Sequence, residues 1–500
     1  MEDATLFEQP IERWWKVPKP YSDVYEFMHP KVRGYIEKLS KFAEAKLQRA
    51  KEMEEKVAQL EKRISDLEAR FLKNSHNSHK PPSQDGFQKP LRTKSLRSRS
   101  SKKPGGQHGH VGSSLQWAED PDSVELHRVT ECENCRRNLE RVHSREIEKR
   151  QILEIPPIEV TVIEHHSEKK VCPTCNHLNQ ASFPEHVKGR IGYGPRYKAL
   201  AVYFLNYQLI PYKRTCEIFG DLFGQAPSQG ALEHFLTECN HNLSRTDQVI
   251  RTKLICAKIV HFDETAIKVN GKYFWIHAAS NDWLTYYAVH PRRGKIAMDE
   301  IGILPEYKGI AIHDGLRAYF TYKQCAHVLC HAHHLRELQF IHEFEKLSWA
   351  KTMQTFLLQM RKHARYRKSS NERIQHWELR HLKKKYLEIL ELAKATYETA
   401  PQKGQFRHGK NLVNRLEKYR DCALAFLEDF DIPFTNNRVE QDLRMNKVKQ
   451  KISGCFRTLK GAQTFCRIRS FLSTKKKRNS PILPALESVF QVSSPTTKLI

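Results

Sequence analysis

The chain has 500 residues, with 84 lysines and arginines against 57 acids and a formal net charge of +27. That length holds several domains, and the charge favours a polyanion partner, most simply nucleic acid, although a merely basic protein is the alternative. With a mean hydropathy of −0.66 and no apolar run of about 18 residues, the sequence excludes a membrane span.

The N-terminus "MEDATLFEQPIERWW" is acidic and lacks an apolar core, so no secretory signal is expected. The 12 cysteines then belong to a reducing cytoplasm, where paired cysteines bind metal more often than they form disulfides.

The first element is a helix over 31–72. Ala50, Met53, Val57, Leu60, Ile64, Leu67 and Phe71 recur three and four residues apart, an a/d seam of about three heptads. The seam degrades upstream, where Lys46 falls on a d position. Its charged flanks point to a coiled-coil dimerisation helix; a helix packed on its own domain is the alternative. "KNSHNSHKPPSQDG" then breaks the periodicity. Over 73–118 the chain reads as a flexible basic arm in which Lys89, Arg92, Lys94, Arg97, Arg99, Lys102 and Lys103 follow one another without an intervening acid. Such a run suits a phosphate backbone; a solvated linker is the weaker reading.

Residues 119–185 contain two pairs, "CENC" (Cys132, Cys135) and "CPTC" (Cys172, Cys175), joined by a β-alternating stretch. Four thiolates make one tetrahedral Zn²⁺ site and leave no open coordination position, so the expected zinc-finger domain is structural and elongated. Disulfides or idle core thiols are the alternative. Within the segment 190–250, residues 195–240 read as three short amphipathic helices, and "APSQGALEHFL" as a turn entering a capped second helix. A helix-turn-helix-like DNA-binding segment is one reading; a plain helical trio is the other.

Residues 255–340 are strand-rich. Strands are expected at 258–263, 273–280 and 284–290, with "VNGK" as the hairpin between the first two, a helix near 293–301 and a further strand at 308–313. Asp263 ends the first of these strands and Asp314 follows the last. If strands one and four are neighbours in a mixed sheet, both aspartates meet at one edge, where they repel unless a divalent cation neutralises them. Mg²⁺ uses such carboxylates together with substrate phosphate oxygens, and paired metals serve in-line phosphoryl transfer.

A dense group follows in "CAHVLCHAHHLREL": Cys325, His327, Cys330, His331, His333 and His334. It is either a second metal site or a strand running into a helix whose histidines face DNA or the core, and it receives no role. Residues 341–430 are helical in pattern.

Over 431–490, "DIPFTNNRVEQDLRMNKVKQKISGCFRT" offers Glu440 as a third acid. Glu440 also has capping-box spacing from Asn437, and Asp442 and Glu264 compete with it. The run Arg444, Lys447, Lys449 and Lys451 would put phosphate-binding residues beside the acid. Arg457, Lys460, Arg467, Arg469 and "KKKR" extend the basic tail.

Taken together these blocks resemble the transposases of bacterial insertion-sequence family 66, the TnpC-type DDE enzymes. The matching stretches include "KNSHNSHKPPSQDG", "KPGGQHGHVG", "YGPRYKALAVYFLNYQLIPYKRT", "HFDETAIKVNGKYFWIHAAS", "LTYYAVHPRRGKIAMDEIGILP", "HDGLRAYF", "CHAHHLREL", "PFTNNRVEQDLRMNKVKQKISGCFR" and "RIRSFLSTKKK". They run in order over roughly 60–487. The resemblance implies a ribonuclease-H-like α/β catalytic core, residues 255–340 and 431–490, split by the 341–430 helices. It also implies an acidic triad falling on Asp263, Asp314 and Glu440, and a zinc finger at the four cysteines. Thr435 stands where family members often carry Asp.

The expectation is therefore a multi-domain α+β bacterial cytoplasmic enzyme using Mg²⁺ (or Mn²⁺) and Zn²⁺. It would cut and join DNA at element ends and target, as a homo-oligomer, with accessory transposition proteins among its expected partners. A non-catalytic DNA-binding regulator and a metal-dependent nuclease without strand transfer are the rivals.

Overall fold

The computed structural model describes residues 28–73, 109, 112, 115–184, 187, 189–398 and 407–491. The Lys89–Lys103 arm lies outside the described residues. The elements, in chain order, begin with helix α1 (Pro30–Leu72) and the short strands β1 (Lys169–Val171) and β2 (Leu178–Gln180). Four helices follow: α2 (Pro195–Val202), α3 (Tyr212–Phe223), α4 (Gln229–Asn242) and α5 (Ser244–Ile255). The central block is β3 (Ile259–Val269), β4 (Lys272–Ser280), β5 (Thr285–His290), α6 (Lys295–Ile301), β6 (Ile310–His313) and β7 (Ala326–Leu329). Helices α7 (His331–Phe340), α8 (Ser348–Ser369), α9 (His376–Glu398), α10 (Arg407–Lys418) and α11 (Arg420–Leu424) come next. The last three are α12 (Asn437–Ser453), α13 (Leu459–Lys477) and α14 (Ile482–Gln491).

The chain divides into two compact units, one from the described residues of 1–90 with 333–431, the other from those of 91–332 with 432–500. In the first, α8 and α9 pack through Trp349, Met353, Leu357, Tyr386 and Leu390, all buried. Glu345 is buried beside them. It accepts from the backbone N–H of Gly409 at 3.1 Å and from Tyr397 Oη at 3.4 Å. On α1 the seam residues from Met53 to Phe71 are exposed. Among the described residues no helix is long and apolar enough to cross a membrane.

The second unit holds a five-stranded sheet in the order β5-β4-β3-β6-β7. β3, β4 and β5 form an antiparallel meander, while β6 and β7 run parallel to β3. The "VNGK" turn is a two-residue hairpin: Asn270 and Gly271 both have positive φ, 47° and 75°. That conformation suits Asn-Gly and matches the twist of the flanking strands. β3 continues to Val269, well past the expected end at Asp263, because β4 pairs along its whole length from Val269↔Lys272 to His261↔Ser280.

Strand alternation gives β3 two buried faces. Val260 and Phe262 pack with Ile250, Leu254 and Ala311 on one side. Ile267 and Val269 pack with Val439, Leu443 and Cys466, from α12 and α13, on the other.

Helices α2 to α4 share one apolar core with the chain's C-terminal helices, through Phe219, Phe235 and Leu236 against Phe471, Leu486 and Phe490. The expected capped helix is α4: Ser228 Oγ accepts from the Ala231 N–H at 3.1 Å. This helix carries no lysine or arginine. Its buried face, Leu232, Phe235, Leu236 and Cys239, packs into that core. The β-rich excursion expected between the cysteine pairs does not form. Among the described residues of 115–184 none is buried, and the only strands there are β1 and β2.

Candidate active site and cysteine knuckles

The geometry at Asp263 follows from where the parallel pairing stops. β3 and β6 are in register from Ile259↔Ile310 to His261↔Ile312. Extending that register brings position 263 opposite 314, just where β6 ends. The chain turns away there: Asp314 Oδ1 accepts from the Leu316 N–H at 2.9 Å, and Gly315 has φ 94°. Asp314 thus stands at the carboxyl end of β6, and Asp263, within β3, faces it just past the point where the parallel pairing of the two strands stops, on the side of an α/β sheet where ligands are bound.

The third acid arrives on the first turn of α12. Asn436, fully buried, is the N-cap residue, but its side chain does not cap the helix. It is turned toward β3: Asn436 Nδ2 donates to the Phe262 carbonyl at 2.8 Å, and Asn436 Oδ1 lies 2.8 Å from His261 Nδ1. Since Oδ1 is the amide's acceptor, the imidazole donates from Nδ1. Burial lowers the His261 pKa to about 4, so this ring is neutral at pH 7. Asn436 N–H also points at Cys330 Sγ, 3.0 Å away. These bonds lock the start of α12 over the first half of β3 and place Glu440 on the face that carries Asp263. The capping box anticipated from Asn437 is absent, because the cap falls one residue earlier.

The two competing acids are otherwise engaged. Asp442 Oδ2 accepts from Ser280 Oγ (2.6 Å), Thr285 Oγ1 (3.0 Å) and Lys477 Nζ (2.7 Å). Glu264 points to the opposite face of β3. Its fully buried carboxylate takes Arg293 Nε at 2.7 Å and Tyr319 Oη at 2.6 Å. Arg293 reaches on to Asp314, 3.6 Å away. Sequence reasoning missed Asn436, Arg293 and Tyr319, since none belongs to a motif near the acid it serves.

Electrostatics mark the cluster. The Asp263 carboxyl is held well above the usual carboxylate range, first by burial and then by Glu264, Asp314 and Glu440. Glu264 is raised too, chiefly by burial and then by Asp314, with Arg293 opposing. Crowded acids with one partial counter-charge fit a divalent cation, which would relieve that repulsion.

Among the basic candidates, Arg444 and Lys451 are exposed. Lys447 is half-buried and donates to the Ala266 carbonyl at 2.6 Å, so its charge serves the fold before any phosphate. Lys449 is half-buried near Ser453 Oγ, at 3.3 Å. Two tail residues are also internal: Arg469 is buried and donates to the Asn206 carbonyl at 3.0 Å, and Lys477 holds Asp442. Cys325, Cys330, His331, His333 and His334 are buried where β7 runs into α7, and His327 is half-buried with His313 at 3.1 Å. The segment is a strand running into a helix, and Cys330 and His333 from it, with Glu440, form a group whose ligand atoms lie within 4.8 Å of one another and could hold a metal ion, so the two readings are not exclusive.

The two cysteine pairs form matching knuckles. In the first, the Arg136 N–H donates to the Cys132 carbonyl and the Cys132 N–H to Arg137, both at 2.9 Å. In the second, Asn176 and His177 play the same parts around Cys172. Arg136 and Asn176 share left-handed φ values of 59° and 55°. Backbone N–H groups of Cys135 and Asn134 lower the Cys132 pKa, and those of Cys175 and Thr174 lower that of Cys172. Each pair is thus shaped for a thiolate-binding metal, although the four thiols are not gathered into one tetrahedral set. With no buried residue between them, apolar packing cannot hold the knuckles together; a shared Zn²⁺ would.

Comparison with known families agrees with this layout. A family described as "Transposase IS66 family" matches residues 190–464, more than half of the chain, and the protein belongs to that family. Residues 130–176, spanning both knuckles, match the zinc-finger binding domain of transposase IS66. Residues 29–116 match a family of unknown function, DUF6444. No curated protein matches the chain.

Proposed function

We propose that this transposase is a DDE-type enzyme in which Asp263, Asp314 and Glu440 hold Mg²⁺ (or Mn²⁺) for strand cleavage and strand transfer at the ends of its element. The observation that carries the reading is that Asp263 and Asp314 face one another where the parallel pairing of β3 and β6 stops, with Glu440 near Asp263 from α12. The strand order supports a ribonuclease-H-like core: the first strand is central, flanked by an antiparallel pair and a parallel pair. A cation held by the three carboxylates would supply charge neutralisation at the scissile phosphodiester and activation of the attacking oxygen.

The chain's own residues do the positioning. Asn436 and neutral His261 fix α12 against β3, and Glu264 with Tyr319 fixes Arg293 beside Asp314. No side-chain nucleophile is needed. Cys132, Cys135, Cys172 and Cys175 hold Zn²⁺ as a structural ion. Arg444, Lys451 and the basic arm of Lys89, Arg92, Lys94, Arg97, Arg99, Lys102 and Lys103 give salt-dependent affinity for DNA. The exposed seam of α1 serves self-association.

The test is a nicking and strand-transfer assay on DNA carrying the element's own ends. Asp263→Ala should keep end binding and lose Mg²⁺-dependent nicking. Nicking that survives refutes the triad. Nicking without joined product in the wild type identifies a nuclease, and end binding without nicking a regulator.

A further inference from the structure

Helix α1 runs 43 residues and shows its apolar seam to solvent. Met53 is 62% exposed, Leu60 58%, Ile64 55% and Leu67 55%. The heptad frame that places Ala50, Val57, Ile64 and Phe71 at a puts Met53, Leu60 and Leu67 at d. β-branched Val57 and Ile64 at a, with Leu60 and Leu67 at d, favour two parallel strands.

The edges of the seam decide its partner. In the same frame Arg49, Lys56 and Arg63 occupy g, and Glu54, Glu61 and Glu68 occupy e; all six are exposed. In a parallel, in-register pair each g residue faces the e residue of the next heptad on the other helix. That matches Arg49 with Glu54, Lys56 with Glu61 and Arg63 with Glu68, each from both sides. An antiparallel pair would instead set base against base and acid against acid.

From this complementarity we propose that α1 is an interaction surface for α1 of a second copy of this chain, joined as a parallel, in-register, two-stranded coil. Parallel pairing sends both chains from Leu72 toward their basic arms at the same end of the coil. The pairing rests on the self-association assigned to the α1 seam above and is independent of the catalytic reading.

The test uses the full chain. Light scattering should show a dimer for the wild type and a monomer for Leu60→Lys/Leu67→Lys. A triple variant Glu54→Lys/Glu61→Lys/Glu68→Lys should dimerise at least tenfold more weakly. So should its counterpart Arg49→Glu/Lys56→Glu/Arg63→Glu, and mixing the two should restore dimers. Met53→Cys and Leu67→Cys, oxidised separately and mapped by peptide mass spectrometry, should each link to its own position in the partner. A monomeric wild type, a Leu60→Lys/Leu67→Lys protein that stays dimeric, or a dimer in which neither position links to itself would overturn the proposal.

Discussion

Lys477 looks like part of a DNA-binding tail in sequence, yet its side chain is only 10% exposed and pairs with Asp442, itself 14% exposed, at 2.7 Å. The ammonium also donates to Ser280 Oγ (2.6 Å) and to the carbonyls of Asn281 (2.8 Å) and Leu284 (3.2 Å). Burial lowers the lysine pKa and Asp442 opposes that shift. Lys477→Met keeps the apolar stem and deletes the charge, leaving Asp442 with two hydroxyl donors and no cation. Removing one partner of a buried pair costs about 3–5 kcal/mol. Asp442→Asn/Lys477→Met should recover most of that loss, since no uncompensated charge remains. Urea unfolding of the three proteins at pH 7, with the m-value checked for constancy, measures both effects. A Lys477→Met protein within about 0.5 kcal/mol of wild type, whose salt slope for DNA binding falls by about 1, would refute the structural role and restore a phosphate contact.

Three further outcomes are expected. Asn436→Leu removes the amide that ties α12 to β3; at roughly 1 kcal/mol for each of its side-chain hydrogen bonds, urea unfolding should show a loss of about 2 kcal/mol, with nicking reduced as Glu440 loses its seat. Glu345, whose pKa burial raises to about 7, favours the protonated form in the folded state. Its stabilising contribution is therefore present below the unfolded value near 4.5 and is lost as pH rises to about 7. Glu345→Gln should flatten that fall by up to a few kcal/mol, read by melting temperature across the window. Cys132→Ser should lower zinc content and increase proteolysis within 124–180; unchanged zinc would remove the finger.

The legible parts of the sequence were those in which a local rule decides the conformation. Asn270-Gly271 announced its hairpin because both residues must take positive φ, and Ser228 announced a helix start because its hydroxyl serves a free N–H. The cysteine pairs announced their knuckles by spacing alone. Where β3 ends was not legible: "DET" reads as a polar stop, but pairing with β4 carries the strand to Val269. The cap of α12 was misplaced for a similar reason, since Asn436 gives its side chain to His261 and Phe262 across the fold.

By itself, then, the sequence determined the strong basic charge, the two C-x-x-C spacings, the heptad seam and two aspartates that each follow a short apolar run. Each depends on charge, spacing or periodicity within a short stretch. Only the tertiary structure decided how the competing acids are engaged. Glu264 and Asp442 look as eligible as Glu440 along the chain, but side-chain alternation turns Glu264 to the far face and Lys477 claims Asp442. It also decided which tail cations are internal, because Lys447, Arg469 and Lys477 find carbonyls or a carboxylate from segments distant in sequence. Burial and long-range pairing are properties of the packed sheet and its helices, and no window of residues carries them.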